Sequence, residues 1–180
     1  MPSIFAVSDT WFNRILDNEP NVNVVENNDE IIENWNNTVD KDDVVYVLGG
    51  FGIGDLYHIL VRLNGEIHFL NNYFNDEEKE FMETMKTSLD KSSDQEFKKK
   101  IIFETDQIVV LKEQDSVLSY FPLLDWCGKE TGTYCFHGLN EDIELLDHSI
   151  TCVSKKWKKC PVNIKLVQEN IDSFSDLLED

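Results

Sequence analysis

Apolar residues in the first seventy positions come in short unbroken runs separated by amphipathic stretches. Ser3-Ile4-Phe5-Ala6-Val7-Ser8 is apolar and stops at Asp9, the pattern of a buried strand entering a loop. Val44-Val45-Tyr46-Val47-Leu48 repeats it and is closed by Gly49-Gly50; Ile67 to Leu70 is a third run. Between the first two, Asn27 and Glu30 stand at capping-box spacing. They predict a helix to about Thr38 with Ile31, Ile32 and Trp35 on one face. A shorter helix is predicted from about Leu56 to Leu63, with Asn64-Gly65 as its stop. Strand and helix alternate, which predicts a parallel sheet with helices on its faces.

The second half changes character. Residues 76 to 90 read as a richly charged helix, and Lys91 to Lys100 as a polar, mobile loop. Ile101–Glu104, Ile108–Lys112, Ser116–Tyr120, Thr133–Phe136 and Ile150–Ser154 then follow as short strands, which suggests a mixed or second sheet packed on the first. Val167 to Leu178 is amphipathic, with Ile171, Phe174, Leu177 and Leu178 on one side. No repeat or low-complexity block interrupts the chain. Its 180 residues are expected to form one domain, 1–180, with a charged helix-and-loop segment around 75–100.

Charge narrows the partners. Thirty-five acidic residues against 16 basic ones give a net charge of -19. Such a surface repels phosphate backbones, so direct nucleic-acid binding is not expected, and a protein partner with a basic surface is. The plainer alternative is that the acidity only maintains solubility. The N-terminus lacks the run of a signal peptide and no stretch reaches membrane-span length, so a soluble cytoplasmic protein, without membrane contact, is expected. In that setting Cys127, Cys135, Cys152 and Cys160 read as free thiols. Their spacing lacks the short knuckle of common zinc sites, and the sequon Asn36-Asn37-Thr38 carries no consequence.

The loops are the informative part. Ser8-Asp9-Thr10-Trp11-Phe12 follows the first strand, and Leu48-Gly49-Gly50-Phe51 the second. Leu63-Asn64-Gly65-Glu66-Ile67-His68-Phe69-Leu70 leads into and forms the third. Ser119-Tyr120-Phe121-Pro122 and Phe136-His137-Gly138 come later in the same order. This series resembles the calcineurin-like phosphoesterase family in its small bacterial and phage-type branch, whose loops read S-D-x-H-F, L-G-D-F, G-N-H-D, S-H-x-P and H-G-H-x-H. Ile150 to Pro161, with Trp157, is similar to the family's closing segment. The resemblance spans nearly the whole chain. It implies an α/β (α+β) fold, the calcineurin-like phosphoesterase sandwich, with two packed mixed β-sheets flanked by helices. With the low arginine content, it is compatible with a viral source and a host cytoplasm.

The family's chemistry needs two divalent metals that clamp the phosphate and generate hydroxide. Transferred position by position, the resemblance keeps Asp9 but little else. Trp11 stands for a histidine and Gly50 for the bridging aspartate. Tyr73, Phe74 and Asn75 stand for the asparagine, histidine and aspartate of the third loop. Tyr120 replaces a histidine, and Leu139 and Glu141 replace two more. His137 falls where the family often has a non-liganding residue. These ten positions form the former active-site cleft; no catalytic residue, metal or other cofactor is expected. The aromatic replacements fit either of two states, a cleft repacked as core or an exposed apolar patch that binds a partner. Asp9 with Glu141 could hold at most one weak cation. His58, His68 and His148 read as ordinary structural residues. Lys155-Lys156-Trp157-Lys158-Lys159 is a basic cluster, read as a solvated turn, and the end from Asp172 to Asp180 is acidic.

The resulting functional expectation is a catalytically inactive pseudo-phosphoesterase acting as an acidic protein-interaction module or assembly subunit. Two alternatives stay open: a diverged metal-dependent phosphodiesterase or phosphatase with a reduced or relocated site, and a metal-free binder of a nucleotide-type ligand stacked on Trp11 or Tyr120.

Overall fold

A computed structural model describes residues 2–14, 23–72, 76–139 and 148–176. Chain order is β1 (Ile4–Val7), α1 (Val24–Thr38), β2 (Val44–Val47), α2 (Tyr57–Leu60), β3 (Glu66–Phe69), α3 (Asp76–Lys91), α4 (Gln95–Lys100), β4 (Ile101–Phe103), β5 (Ile108–Leu111), β6 (Ser116–Ser119), β7 (Tyr134–His137), β8 (Ser149–Thr151), β9 (Val162–Asn163) and α5 (Ile164–Asp176). The fold is mixed α/β, with two mixed sheets and several helices. One sheet runs β4-β3-β2-β1-β9, with β9 antiparallel to β1 and the others parallel. The other runs β5-β6-β7-β8, with β5 antiparallel and the rest parallel.

Strand alternation divides the interior in two. Phe5, Val7, Val45, Val47, Ile67 and Phe69 face one way. They pack on Ile31, Ile32 and Trp35 of α1, Ile59 and Leu60 of α2, and Phe81, Met82, Met85 and Leu89 of α3. Ala6 and, beyond the strand ends, Leu48 and Leu70 belong to the other core, with Leu118, Tyr120, Tyr134 and Phe136 from the second sheet. The two sheets therefore pack face to face, with α1 to α4 on the far side of the first. A parallel bridge between Ser8 and Val153 stitches the sheets together where β1 and β8 end.

Several expectations change. Asn27 does not cap α1. Asn23 does, accepting the Val25 N–H at 3.1 Å, and Asn27 lies within the helix. The longer helix tolerates polar residues because Asn28, though buried, exchanges two hydrogen bonds with Asn13. Lys91–Lys100 is not a loop throughout: Asp94 caps α4 through the Glu96 and Phe97 N–H groups, and Phe97 is buried. Three lysines close that helix, where cations suit its dipole. Ile101–Phe103 belongs to the first sheet, paired in parallel with β3, and not to the strands that follow it. Of the predicted C-terminal stripe, the Ile171 and Phe174 side chains and residues Leu177 and Leu178 lie outside the described residues.

Among the described residues no cysteine is paired in a disulfide, and no helix is long and apolar enough to cross a membrane. His68 is held between two carboxylates, Glu104 at 2.7 Å on Nδ1 and Glu66 at 2.8 Å on Nε2, with Tyr46 against its ring. His148 packs edge-on against Tyr134.

Candidate functional site

Four loops converge where β1, β2, β6 and β7 end. The loop after β1 is fastened to the loop after β2 by three successive backbone bonds: Asp9 N–H to Gly49 O, Trp11 N–H to Gly50 O and Phe12 N–H to Phe51 O, all near 3.0 Å. The Thr10 hydroxyl adds a bond to Phe51 O at 2.8 Å. On the other side Ser154 Oγ donates to Asp9 O at 2.8 Å. Asp9, Trp11 and Leu139 are held at φ of 53°, 50° and 38°, left-handed backbone that side-chain-bearing residues seldom adopt.

Tyr120 occupies the middle of this convergence and is fully buried. A Cβ on Gly49 would lie 2.7 Å from its ring, and one on Gly138 would crowd the same ring and come within 2.9 Å of Ser8 Cβ. The ring therefore sits in a slot that only two glycines leave open. Its hydroxyl donates to Asp9 Oδ1 at 3.2 Å. Gly50, at φ 65°, lies so close under Asp9 that a Cβ there would collide with Oδ1 and come within 2.9 Å of the Asp9 Cα.

Asp9 is thus walled in. Its Oδ2 is buried, and among the described residues no donor reaches it at hydrogen-bonding geometry. Burial pushes its carboxyl up from the ordinary 3.8 to about 6. The Ser8 and Tyr120 hydroxyls and the Leu139 amide pull the other way, while nearby Glu78 pushes further up. Burial, then the Asp9 charge, drives the Tyr120 phenol well above its ordinary range, so it stays a neutral donor.

Glu78 is the site residue that sequence reasoning missed. It lies on α3, is buried, and accepts the Phe51 N–H at 3.0 Å. Its signal was present: positions 78, 81, 82, 85 and 89 make one helical stripe, and Glu78 is the charged member of it.

The other expected positions separate. Trp11 is half-buried, with the Arg14 guanidinium 4.7 Å from its ring centre. Leu139 packs partly against the inter-sheet core. His137 is buried, with Nδ1 2.7 Å from Gly138 O; burial, and then Lys156, hold its pKa below the usual range. Tyr73, Phe74, Asn75 and Glu141 lie outside the described residues. Among the described residues no three His, Cys, Asp or Glu side chains gather closely enough to hold a metal ion. In the basic run, Lys159 binds Asn27 and Glu30 at 2.8 Å, while Lys155, Lys156 and Lys158 are exposed.

No family model matches the chain. A 79-residue stretch is 39% identical to an uncharacterized protein of Methanocaldococcus jannaschii. That match covers 39% of this chain and 45% of the relative, so it spans less than half of the relative's length. In three dimensions the chain is similar to a protein of unknown function from Aquifex aeolicus, whose crystal structure it matches with a TM-score of 0.60. The match has 18% identity over 97% of this chain and 100% of that one. Similarity at that identity speaks for the fold alone.

Two outcomes follow from this geometry. Tyr120→Ala empties a closed slot and should lower stability by about 3–5 kcal/mol, whereas Trp11→Ala, at a half-buried ring, should lower it by about 1–2 kcal/mol; urea unfolding measures both. Asp9 supplies the second. Its folded pKa lies above the unfolded one, so the folded state binds the extra proton between 3.8 and about 6, and stability falls as pH rises through that window. Asp9→Asn should flatten this dependence and be more stable than the parent at pH above the window, in unfolding curves taken across it.

Proposed function

We propose that this chain is a degenerate calcineurin-like phosphoesterase sandwich whose former two-metal centre is filled by its own side chains, and that it acts as an interaction module for a basic protein partner. The observation that carries the first half is the Tyr120 ring, wedged between Gly49 and Gly138 with its hydroxyl on Asp9. A two-metal phosphoesterase needs carboxylates and imidazoles around open space for two cations and a bound water. Here the described residues do not fit that group. The one carboxylate at a liganding position already accepts a hydrogen bond from a phenol. The bridging position, Gly50, has no carboxylate and no room for a side chain. An aromatic ring stands where an imidazole would ligate. The left-handed backbone at Asp9, Trp11 and Leu139 supports a site inherited in shape, since nothing in the chemistry of tryptophan or leucine favours that conformation.

Support for the second half is electrostatic. A net charge of -19 on 180 residues attracts cationic surfaces and repels phosphate-rich ones. The nucleotide-type alternative gains little from the geometry: Tyr120 offers no free ring face, and Arg14 lies over the Trp11 ring. A diverged enzyme would need a convergent set of carboxylates and histidines elsewhere.

Manganese titration calorimetry on chelator-stripped protein tests the first half. No binding at millimolar metal is expected, and Gly50→Asp should lower the melting temperature without creating a site; two ions per chain with high affinity would overturn the reading. For the partner, tryptophan fluorescence should report binding of a lysine-rich peptide that weakens steeply as salt rises. Absence of binding at low salt would sink the acidic-interface half alone.

A further inference from the structure

α2 is a single turn of four residues, whereas α3, which packs into the same core, runs for sixteen. At the rise of a helix the first spans about 6 Å and the second about 24 Å, so α2 is too short to cover the flank of α3 that faces it. A cleft of about 1020 Å³ remains there. Phe81, Met85 and Leu89, at helical spacing on α3, form its floor with Phe97 of α4, and each is 6–9% exposed. Tyr57 of α2 stands beside them, 46% exposed and edge-on to Phe97 at 4.8 Å between ring centres. Thr84 and Ser88 line the α3 side and are exposed; side chains this short leave the cleft open.

Charge narrows what fits this cleft. Its rim carries Asp55, Glu80 and Lys91, all exposed, and among the described residues none of the three is in an ion pair. The Asp55 carboxylate accepts only the Tyr57 N–H, at 3.1 Å. Glu80 lies near the start of α3 and Lys91 ends it, about 16 Å further along the axis. The rim is therefore negative toward one end and positive at the other. A helix lying along α3 with its N-terminus toward Glu80 meets both signs with its own dipole. An extended segment has no comparable dipole. Around the cleft the body carries a net charge of -19, which attracts a cationic occupant and repels an anionic amphiphile.

We propose that the cleft between α2 and α3 receives a lysine-rich amphipathic helix of a protein partner, about three turns long, with its apolar stripe on Phe81, Met85 and Phe97. This rests on the basic-partner half of the function proposed above and not on the phosphoesterase half. Unbranched Met85 adapts to the side chains of an incoming stripe, and the Tyr57 and Phe97 rings supply broad apolar contact. Apolar burial holds the helix, while its lysines, facing Asp55, Glu80 and the acidic body, set the encounter rate and the dependence on salt.

Fluorescence anisotropy of two labelled peptides on the full chain tests this. One places leucines at helical spacing among lysines; the other keeps the lysines and has serine for each leucine. The leucine–lysine peptide should bind at least ~10-fold more tightly. Thr84→Trp, which fills the cleft from an exposed position, and Glu80→Lys should each weaken that binding at least ~10-fold. Glu33→Lys, the same charge change on the exposed surface of α1, should weaken it less than about 3-fold. Circular dichroism checks each fold, and Ser88→Trp takes the place of Thr84→Trp if the latter unfolds. Equal binding of the two peptides, a folded tryptophan variant that binds like the parent, or a Glu33→Lys as damaging as Glu80→Lys would overturn the cleft and leave the basic-partner reading standing. No binding of either peptide at low salt would overturn both. Sedimentation of the free protein adds one more outcome: a dimer that Thr84→Trp splits would give the cleft to a second copy and overturn the proposal.

Discussion

Two glycines on different sheets, Gly49 and Gly138, leave a slot that a Cβ on either would close, and the ring of Tyr120 fills it. Much else at the site depends on this fit. Gly49 belongs to the end of β2 and Gly138 to the end of β7, so the ring fixes how closely the two sheets approach at this rim. Dense interiors resist small changes of volume, and an aromatic ring held between backbones on both sides has no direction in which to yield. The same fit carries the phenol to Asp9, and the backbone bonds from Asp9, Trp11 and Phe12 to the loop after β2 then hold the whole rim in register.

The fit has an electrostatic consequence. Filling the space over Asp9 removes water from it, and the nearby Glu78 charge adds to the cost of ionising it. The molecule meets this in two ways. Glu78 takes a backbone N–H, and the Asp9 carboxyl shifts toward its neutral form. An active two-metal centre would settle the same charges with cations. Here a phenol meets Asp9 and a backbone amide meets Glu78, so a further carboxylate at Gly50 would add charge to a place already arranged to avoid it.

Most strands were legible because each is a short apolar run with a sharp polar end, and burial on both faces demands that pattern. The helices were harder where polar residues compete. Asn23 and Asn27 are both plausible caps, and only the tertiary exchange between Asn28 and Asn13 favours the earlier start. Lys98-Lys99-Lys100 reads as loop until Asp94 is seen to cap the turn and Phe97 to anchor it. β9 is two residues long and has no periodicity to read. At the site, the sequence points to the loop residues but not to which way they face. Tyr120 is sealed and Trp11 is half open, and that difference arises from the glycine slot, which involves residues 89 positions apart.

The four edges of the two sheets are not equally protected, and this bears on how far association can go. β4 is preceded by Lys98-Lys99-Lys100 and followed by Glu104, with Lys86 over the Phe103 ring, so charge crowds both its ends. β8 runs toward the exposed lysines at 155, 156 and 158, and β9 is only two residues long. Among the described residues, β5 is the edge strand that is four residues long, wholly aliphatic and without a backbone bond beyond its pairing with β6. An edge able to pair with a different edge of the next copy would propagate into a filament. Repulsion between chains of net charge -19 opposes such growth through any of these edges.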